Sequence, residues 1–303
     1  MMAVVYWGSD GAGDSVGSVH AAFVKWIRAQ GDADLIVNGG DVYGQGTPEE
    51  FEMFRQAMQG NLSLICETPG NHDWATRATS SATGQIPAGY EAFWKQFPPP
   101  ASRQPIDSTK RGGARYEHFI DLDGWRLIFL DTGPCEDIEE WPTGDASRVT
   151  WLRHALNTPG RAKIVCAHHS RLSRGKHGDI DEVDTLWKVL FDDAGAPRAA
   201  LTIAGHDHNV SIYKPRPRKV SDGAVDVTKG IHVIVNGAGG RGHDAGFRGT
   251  SPDVFFEEER YCLTRMKLSV TASADIEILS FGKKKDPPSD VAPALLHRTT
   301  IQV

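Results

Sequence analysis

The stretch Ala199-Ala200-Leu201-Thr202-Ile203 is followed directly by Ala204-Gly205-His206-Asp207-His208-Asn209. Its first part is short and apolar and ends at a glycine, which is typical of a buried strand. Side chains alternate along a strand, so His206 and His208 are expected to point the same way just beyond its end. Two imidazoles in that relation suit a metal ion, although a His-x-His pattern taken alone also occurs in structural histidine pairs.

Apolar runs of the same kind recur along the chain, and each ends in a loop rich in Gly, Asp, Asn or His. A polar candidate residue follows each of four such runs. Asp10 follows the run Ala3 to Trp7, and Asp41 follows Asp34 to Asn38. Asn71 follows Leu62 to Cys66, and His168 follows Lys163 to Ala167. Helical periodicity predicts helices over Val16 to Gln30, Ser147 to Asn157 and Ile180 to Asp192. This alternation predicts an α/β protein whose site lies at the carboxyl ends of its strands.

The remaining segments suggest one domain over residues 1–303. Thr47-Pro48-Glu49-Glu50 has the composition of a helix start, and Leu122-Asp123-Gly124 that of a hairpin turn. Residues 74–115 are irregular and polar, so we expect a long loop or cap over the site. Residues 241–303 are rich in predicted strands, and we expect them to complete the second sheet.

The composition of the chain limits which functional classes of protein it can belong to. Of the 303 residues 40% are hydrophobic and 24% are charged, which is ordinary for a soluble enzyme, and the net charge of -6 argues against a nucleic-acid partner. No apolar run is long enough to span a membrane, and the chain starts without the basic segment of a secretory signal. We therefore expect a cytoplasmic protein unless the sequence is a mature secreted form. The four scattered cysteines are expected to be buried thiols.

The polar residues at the strand ends are candidate metal ligands. They are Asp10, Asp41, Asn71, His168, His206 and His208, with His72 beside them. Taken alone, each residue could have a purely structural role, such as a helix cap for the aspartates or a left-handed turn for Asn71. Those alternatives do not explain why oxygen and imidazole donors follow five separate strands. This donor set suits two transition-metal ions better than one, with a carboxylate such as Asp41 between them.

Four short motifs resemble, in order and spacing, the signature of calcineurin-like metallophosphoesterases. They are Gly40-Asp41, Gly70-Asn71-His72-Asp73, Ala167-His168-His169 and Gly205-His206-Asp207-His208. Within that superfamily the chain looks most like purple acid phosphatases and their bacterial relatives. The resemblance implies a four-layer αββα sandwich of two mixed β-sheets, and hydrolysis of phosphate esters by a metal-bound hydroxide.

The same resemblance assigns roles to individual residues. It places Asp10, Asp41 and His208 on one metal ion, and Asp41, Asn71, His168 and His206 on the other. His72 would act on the leaving-group oxygen as an electrostatic stabiliser or general acid. The purple group uses a Tyr three residues after the bridging Asp, whereas Tyr43 lies two residues after Asp41. Tyr43 is therefore only a possible ligand, and the two ions could be iron, zinc or manganese.

The substrate is expected to be a small phosphorylated molecule, with a monoester favoured. His169 is a candidate for orienting ligands or substrate, and Arg171, Arg174 and His177 follow it on a basic loop that could bind phosphate. Two alternatives remain. One is a phosphodiesterase or nuclease that uses the same metal centre, and the other is a scaffold that keeps the fold without catalysis.

Overall fold

The computed structural model describes residues 2–8, 16–42, 47, 50, 52, 54, 56, 64–74, 117–132, 146–220, 224–240, 246–284 and 292–303. Its strands are β1 (Met2–Gly8), β2 (Leu35–Asn38), β3 (Ile65–Glu67), β4 (His118–Leu122), β5 (Trp125–Phe129), β6 (Ala162–Ala167), β7 (Leu201–Ala204), β8 (Val210–Arg216), β9 (Ile231–Asn236), β10 (Phe255–Glu257), β11 (Arg260–Ser269), β12 (Ser273–Lys283) and β13 (Ala294–Gln302). Its helices are α1 (Val16–Gln30), α2 (Asn71–Trp74), α3 (Ala146–Leu156) and α4 (Asp184–Val189), the last preceded by a 3-10 turn, Asp181–Val183.

Within the described residues the strands form two mixed sheets. The first has the order β13-β12-β11-β1-β2-β3, and the second has the order β10-β8-β9-β7-β6-β5-β4. β1, β2 and β3 are parallel, as are β5, β6, β7 and β9, while the strands outside these parallel groups pair antiparallel. The parallel strands occupy adjacent positions, so their carboxyl ends meet at one edge of each sheet.

Alternation along the strands separates the hydrophobic core into layers. Val5 and Trp7 of β1 pack with residues of the second sheet, whereas Val4 and Tyr6 pack against α1. In β6, Cys166 likewise faces the first sheet, and the residues on the opposite face pack with α3 and α4. The layer order is therefore helix, sheet, sheet, helix, and the predicted four-layer αββα sandwich is confirmed.

Local sequence signals were accurate for several elements. Helix α1 has the predicted bounds, and the hairpin between β4 and β5 turns at Asp123 and Gly124. The Thr47 backbone N–H donates to Glu50 Oε2 at 3.0 Å and the Glu50 N–H donates to Thr47 Oγ1 at 3.3 Å, which is a reciprocal helix cap. In the part of the chain that the structure describes, Cys66, Cys166 and Cys262 are buried free thiols, as expected.

Two predictions about larger segments need correction. Of the strands that the structure describes after residue 241, β10 alone joins the second sheet, whereas β11, β12 and β13 extend the first sheet beside β1. Sequence periodicity does not reveal this, because it shows where a strand lies but not its partner. The helix expected over Ile180 to Asp192 is a 3-10 turn followed by the shorter α4. The expected cap at 74–115 lies, apart from Trp74, outside the described residues.

No helix in the described part of the chain is long and apolar enough to cross a membrane.

Candidate metal centre

Five of the predicted site residues come together where the two sheets meet. Asp41 follows β2, Asn71 and His72 follow β3, His168 follows β6, and His206 follows β7. Hydrogen bonds join the sheets at this edge: Thr68 Oγ1 donates to the Leu130 carbonyl at 2.6 Å, and Trp7 Nε1 donates to the Asn236 carbonyl at 3.2 Å. The cluster is therefore built from both sheets on a fixed frame.

The ring of His168 faces two other potential ligands. Its Nδ1 lies 2.8 Å from the Gly39 carbonyl, which can only accept, so Nδ1 carries the proton. In the neutral ring Nε2 then has a lone pair, yet it lies 3.4 Å from Asp41 Oδ2 and 3.2 Å from His206 Nδ1. A carboxylate oxygen and two ring nitrogens this close together can be bridged by a shared proton or by a metal ion held among them. A carbonyl bond to the remote nitrogen is also the usual arrangement for a metal-binding histidine.

Asn71 supports the same interpretation independently. The residue is buried, and within the described residues its Oδ1 has no hydrogen-bond partner. A buried amide oxygen without a partner is costly, whereas an amide oxygen is a good ligand for a hard cation. The donor set of carboxylate, amide oxygen and imidazole therefore fits a metal ion.

His169 belongs to the same cluster. Ligand nitrogens of His168, His169 and His206 all lie within 4.8 Å of one another. The His169 backbone N–H donates to Thr132 Oγ1 at 3.0 Å, and His169 Nδ1 lies 3.2 Å from the same oxygen. We expected His169 to orient ligands or substrate, and its 2% exposure places it beneath the cluster, beside the ligands.

The backbone around the cluster is close to the ligands and unusual in conformation. A Cβ atom added to Gly70 would lie 2.1 Å from Asp41 Oδ1, and one added to Gly40 would lie 2.5 Å from His168 Nδ1, so neither position has room for a side chain. Asp41 and His206 both have positive φ, 52° and 67°. Such conformations are costly for residues with a side chain and are typical of functional sites. The alternation argument for His206 assumed extended backbone, and that assumption was wrong.

Asp73 is a site residue that the sequence analysis quoted without giving it a role. Its carboxylate accepts the backbone N–H groups of Asp41, Val42 and Gly70, at 2.8, 2.9 and 2.8 Å. Burial and the charge of Asp41 raise the pKa of Asp73, while the N–H bonds from Gly70 and Val42 oppose the rise. Asp73 therefore fixes the left-handed turn that presents Asp41. The only available signal was its position inside the Gly70-Asn71-His72-Asp73 motif.

His72 lies beside Asp41 and remains partly accessible. The His72 backbone N–H donates to Asp41 Oδ1 at 2.9 Å, and His72 Nε2 lies 4.0 Å from Asp41 Oδ2 with 31% of the side chain exposed. Burial acts to raise the pKa of Asp41, but the surrounding histidines, His168 first, hold it well below its usual range. Asp41 is thus kept as a carboxylate, the form that binds metal ions.

Asp207, between the two motif histidines, is a second residue whose role the sequence did not reveal. Its Oδ1 accepts the His177 backbone N–H at 3.0 Å, and its Oδ2 accepts that of Gly178 at 3.2 Å. A Cβ on Gly175 would lie 2.1 Å from Asp207 Cγ, so the loop packs tightly on this carboxylate. The loop held in this way places the centroid of the His177 ring 4.1 Å from that of the His206 ring.

The two arginines of this basic loop have different surroundings. Arg171 forms ion pairs with Asp181 at 2.8 Å and Asp184 at 3.3 Å, so acidic groups of the 3-10 turn and α4 already occupy it. These contacts do not support Arg171 as a phosphate ligand. Arg174 donates to the Gly249 carbonyl at 3.4 Å, and its guanidinium lies 5.5 Å from the centre of the Phe247 ring.

The second expected ion site is described only in part. His208 is half-buried, and its carbonyl accepts a hydrogen bond from Lys284 Nζ. Its other expected ligands, Asp10 and the possible Tyr43, lie outside the described residues. Those assignments stay predictions.

Glu67, at the end of β3, allows a stability test close to this centre. The residue is 1% exposed, and neither carboxylate oxygen has a hydrogen-bond partner among the described residues. Burial, and then the charge of Asp73, raise the pKa of Glu67 well above its ordinary 4.5. The folded protein thus retains this proton to higher pH than the unfolded chain, so the free energy of unfolding falls as pH rises above the ordinary value.

The Glu67→Gln variant lacks this titration. We expect the free energy of unfolding of Glu67→Gln, measured by urea denaturation, to exceed that of the wild type by an amount that grows as the pH rises above the ordinary glutamate value of 4.5. Glu277→Gln is the control of opposite sign, because Arg265 and Arg298 lower the pKa of Glu277 although burial acts to raise it. A difference for Glu67→Gln that does not change with pH would contradict the argument.

Comparison with known proteins agrees with this site. Residues 18–210 match the family model for calcineurin-like phosphoesterases. The chain is 24% identical over 191 residues to the glycerophosphodiester phosphodiesterase GpdQ of Enterobacter lignolyticus, a match covering 62% of this chain and 60% of that protein. It is 23% identical over 201 residues to the 3',5'-cyclic adenosine monophosphate phosphodiesterase CpdA of Pseudomonas aeruginosa, covering 64% and 61% respectively. The chain thus spans about three fifths of the length of these curated relatives.

A solved structure of a purple acid phosphatase from yellow lupin seeds has a TM-score of 0.69 at 16% identity, covering 100% of this chain and 54% of that one. At this identity the likeness concerns the fold alone. The family match includes the predicted ligands from Asp41 to His208 and extends over more than half of the 303 residues. This chain therefore belongs to the calcineurin-like phosphoesterase family.

Proposed function

We propose that this protein hydrolyses esters of phosphoric acid with two bound metal ions, and that small phosphodiesters are its preferred substrates. The observation that carries the proposal is the convergence of Asp41, His168 and His206 around a common point. The sequence favoured monoesters, but both curated relatives are named as phosphodiesterases, which supports diesters. The monoester alternative is one outcome of the test below.

Each residue of the cluster has a role in this proposal. Asp41, Asn71, His168 and His206 would hold one ion, while Asp41, His208 and Asp10 would hold the other, with Tyr43 as a further candidate ligand. When bound, such ions of iron, zinc or manganese supply Lewis acidity that activates water and neutralises charge on the phosphoryl oxygens. Gly40 and Gly70, which lack a side chain, leave room for the side chains of His168 and Asp41. Asp73 holds the backbone of Asp41 in position.

Two histidines at the edge of the cluster would act on the substrate. His72 is the more accessible of Asp41's histidine neighbours, so it can donate a proton to the leaving oxygen. His177 stands over the His206 ring on a loop held by backbone hydrogen bonds, so it can donate to a phosphoryl oxygen.

The test combines metal analysis with two chromogenic esters that release the same 4-nitrophenolate. Protein purified without chelator is expected to contain about two ions per chain, and kcat/KM is expected to be higher for bis(4-nitrophenyl) phosphate than for 4-nitrophenyl phosphate. The reverse order would favour a monoesterase. Inactive protein that takes up no ions on incubation would overturn the proposal in favour of a scaffold. A visible absorption band would support iron bound by Tyr43.

Asp207 gives a prediction about positioning. Asp207→Ala removes both acceptors that hold the His177 loop, so we expect kcat/KM for the diester to fall roughly 10- to 100-fold while the metal content stays near wild type. Asp226→Ala is a matched control, because Asp226 also accepts two backbone N–H bonds, at 3.0 and 2.8 Å, in an exposed loop. Equal kinetics for the two variants would show that Asp207 has no role at the site.

A further inference from the structure

An exposed aromatic residue lies on the segment that packs beside the His177 loop. Phe247 is 48% exposed, and its ring meets that of Phe256 nearly edge to face, with centroids 5.6 Å apart at 72°. Phe256 belongs to β10 and pairs with Ser211, three residues after His208. The Arg174 guanidinium lies 5.5 Å from the centre of the Phe247 ring. Together Phe247, Phe256 and Arg174 form what we call the aromatic platform.

The platform is held in place by several independent contacts. The Arg248 backbone N–H donates to the Gly175 carbonyl at 2.8 Å. The Thr250 N–H and hydroxyl donate to the Asp179 carboxylate at 3.0 and 2.7 Å. A Cβ on Gly249, whose φ is +69°, would lie 2.4 Å from the Ser173 carbonyl oxygen. Phe247 is therefore presented to solvent from a well-fixed backbone, where an aromatic ring can bind at low entropic cost.

These contacts also place the platform close to the metal centre. Gly175, which accepts the Arg248 bond, is two residues from His177, and the His177 ring lies 4.1 Å from that of His206, measured between centroids, with the ring planes tilted by 52°. With consecutive Cα atoms about 3.8 Å apart, this path brings Phe247 within roughly 16 Å of His177. Arg174 belongs to the same loop and adds a positive charge beside the ring. A ligand that combines an anionic phosphate with a flat ring would match this arrangement.

We propose that the aromatic platform of Phe247, Phe256 and Arg174 is a binding subsite for a planar aromatic group of the phosphate ester, as in a nucleoside ester. This inference rests on the proposed function for the identity of the ester, and it specifies the class of substrate. Stacking on Phe247 provides affinity for any flat ring without reading its hydrogen-bonding edge. Esters of small aliphatic alcohols lack such a ring and would bind through the phosphate alone.

The test measures binding to the metal-loaded protein by calorimetry with two phosphonates that cannot be hydrolysed at phosphorus. One is the phosphonate analogue of thymidine 5′-monophosphate, and the other is methylphosphonate. The wild type is expected to bind the nucleoside ligand about tenfold more tightly. Phe247→Leu, which keeps an apolar side chain without a ring, should remove this difference and leave the Kd of methylphosphonate unchanged. Leu295→Ala, at a residue 50% exposed on β13, is the matched control.

The possible outcomes separate this inference from the proposed function. Equal affinity of the wild type for both ligands, or a preference that survives in Phe247→Leu, would overturn the subsite. If bis(4-nitrophenyl) phosphate is still hydrolysed in that case, the proposed function stands alone. A preference that depends on Phe247, in protein that hydrolyses no ester, would support the subsite and overturn the proposed hydrolysis.

Discussion

Replacement of Asp41 by Asn is expected to lower kcat for phosphate esters roughly 10³-fold and to reduce the bound metal. Asp41 is 1% exposed, and its Oδ2 lies 3.4 Å from His168 Nε2. An asparagine at this position has similar size but no charge, and one of its two terminal atoms is a donor that cannot bind a cation. The substitution therefore removes the group expected to lie between the two ions while leaving the fold largely intact.

Metal content by elemental analysis and kcat for the 4-nitrophenyl diester are the two measurements for Asp41→Asn. Asp121→Asn is the control, because Asp121 is ion-paired with Arg126 at 2.7 Å on β4 and has no part in the proposed site. The control should retain both metal and activity. An Asp41→Asn variant with full activity and two ions would contradict the assignment of this metal centre.

Replacement of His72 by Ala is expected to leave the metal content near wild type and to affect poor leaving groups most. His72 is 31% exposed and lies 4.0 Å from the Asp41 carboxylate, which places it at the edge of the cluster. The more basic the departing oxygen is, the more it needs a proton from a general acid. The loss of kcat in His72→Ala should therefore reach about 10²- to 10⁴-fold for alkyl esters, whose leaving groups are strongly basic. For 4-nitrophenyl esters, whose leaving group is stable as an anion, the loss should be much smaller.

A series of esters with leaving groups of increasing pKa measures this effect as the slope of log kcat. The slope should be steeper for His72→Ala than for the wild type. His154→Ala, at an exposed position on α3, should match the wild-type slope. An equal loss for every leaving group would argue against the acid role and leave His72 as an electrostatic stabiliser.

Much of the local structure could be predicted because its causes lie close together in the sequence. Helix α1 has the predicted bounds since its apolar residues recur at helical spacing, and the Thr47 cap depends on a residue three positions away. The order of strands and helices predicted an α/β protein, and the family resemblance of the four motifs implied its four layers. The candidate ligands Asp41, Asn71, His168 and His206 could be proposed for the same reason, since each directly follows a strand or its loop.

Other properties of the site depend on contacts between residues distant in sequence. Asp73 and Asp207 are ordinary acidic residues in the sequence, and their roles become visible only where the backbone N–H groups they accept are brought to them. The ion pairs of Arg171 with Asp181 and Asp184 likewise had no signal in the sequence. Phe247 gave no signal, because the proposed subsite depends on its position beside Arg174, which lies some 70 residues earlier in the chain.

The sequence by itself thus determined the family, the strand-loop-helix order and the donor types available for two metal ions. It did so because periodicity, turn residues and motif spacing are local properties of the chain. Only the tertiary structure decided that β11, β12 and β13 join the first sheet, that Asp41 and His206 adopt left-handed backbone, and that Asp207 supports His177. These features arise from packing and hydrogen bonding across long sequence separations, which no local pattern encodes.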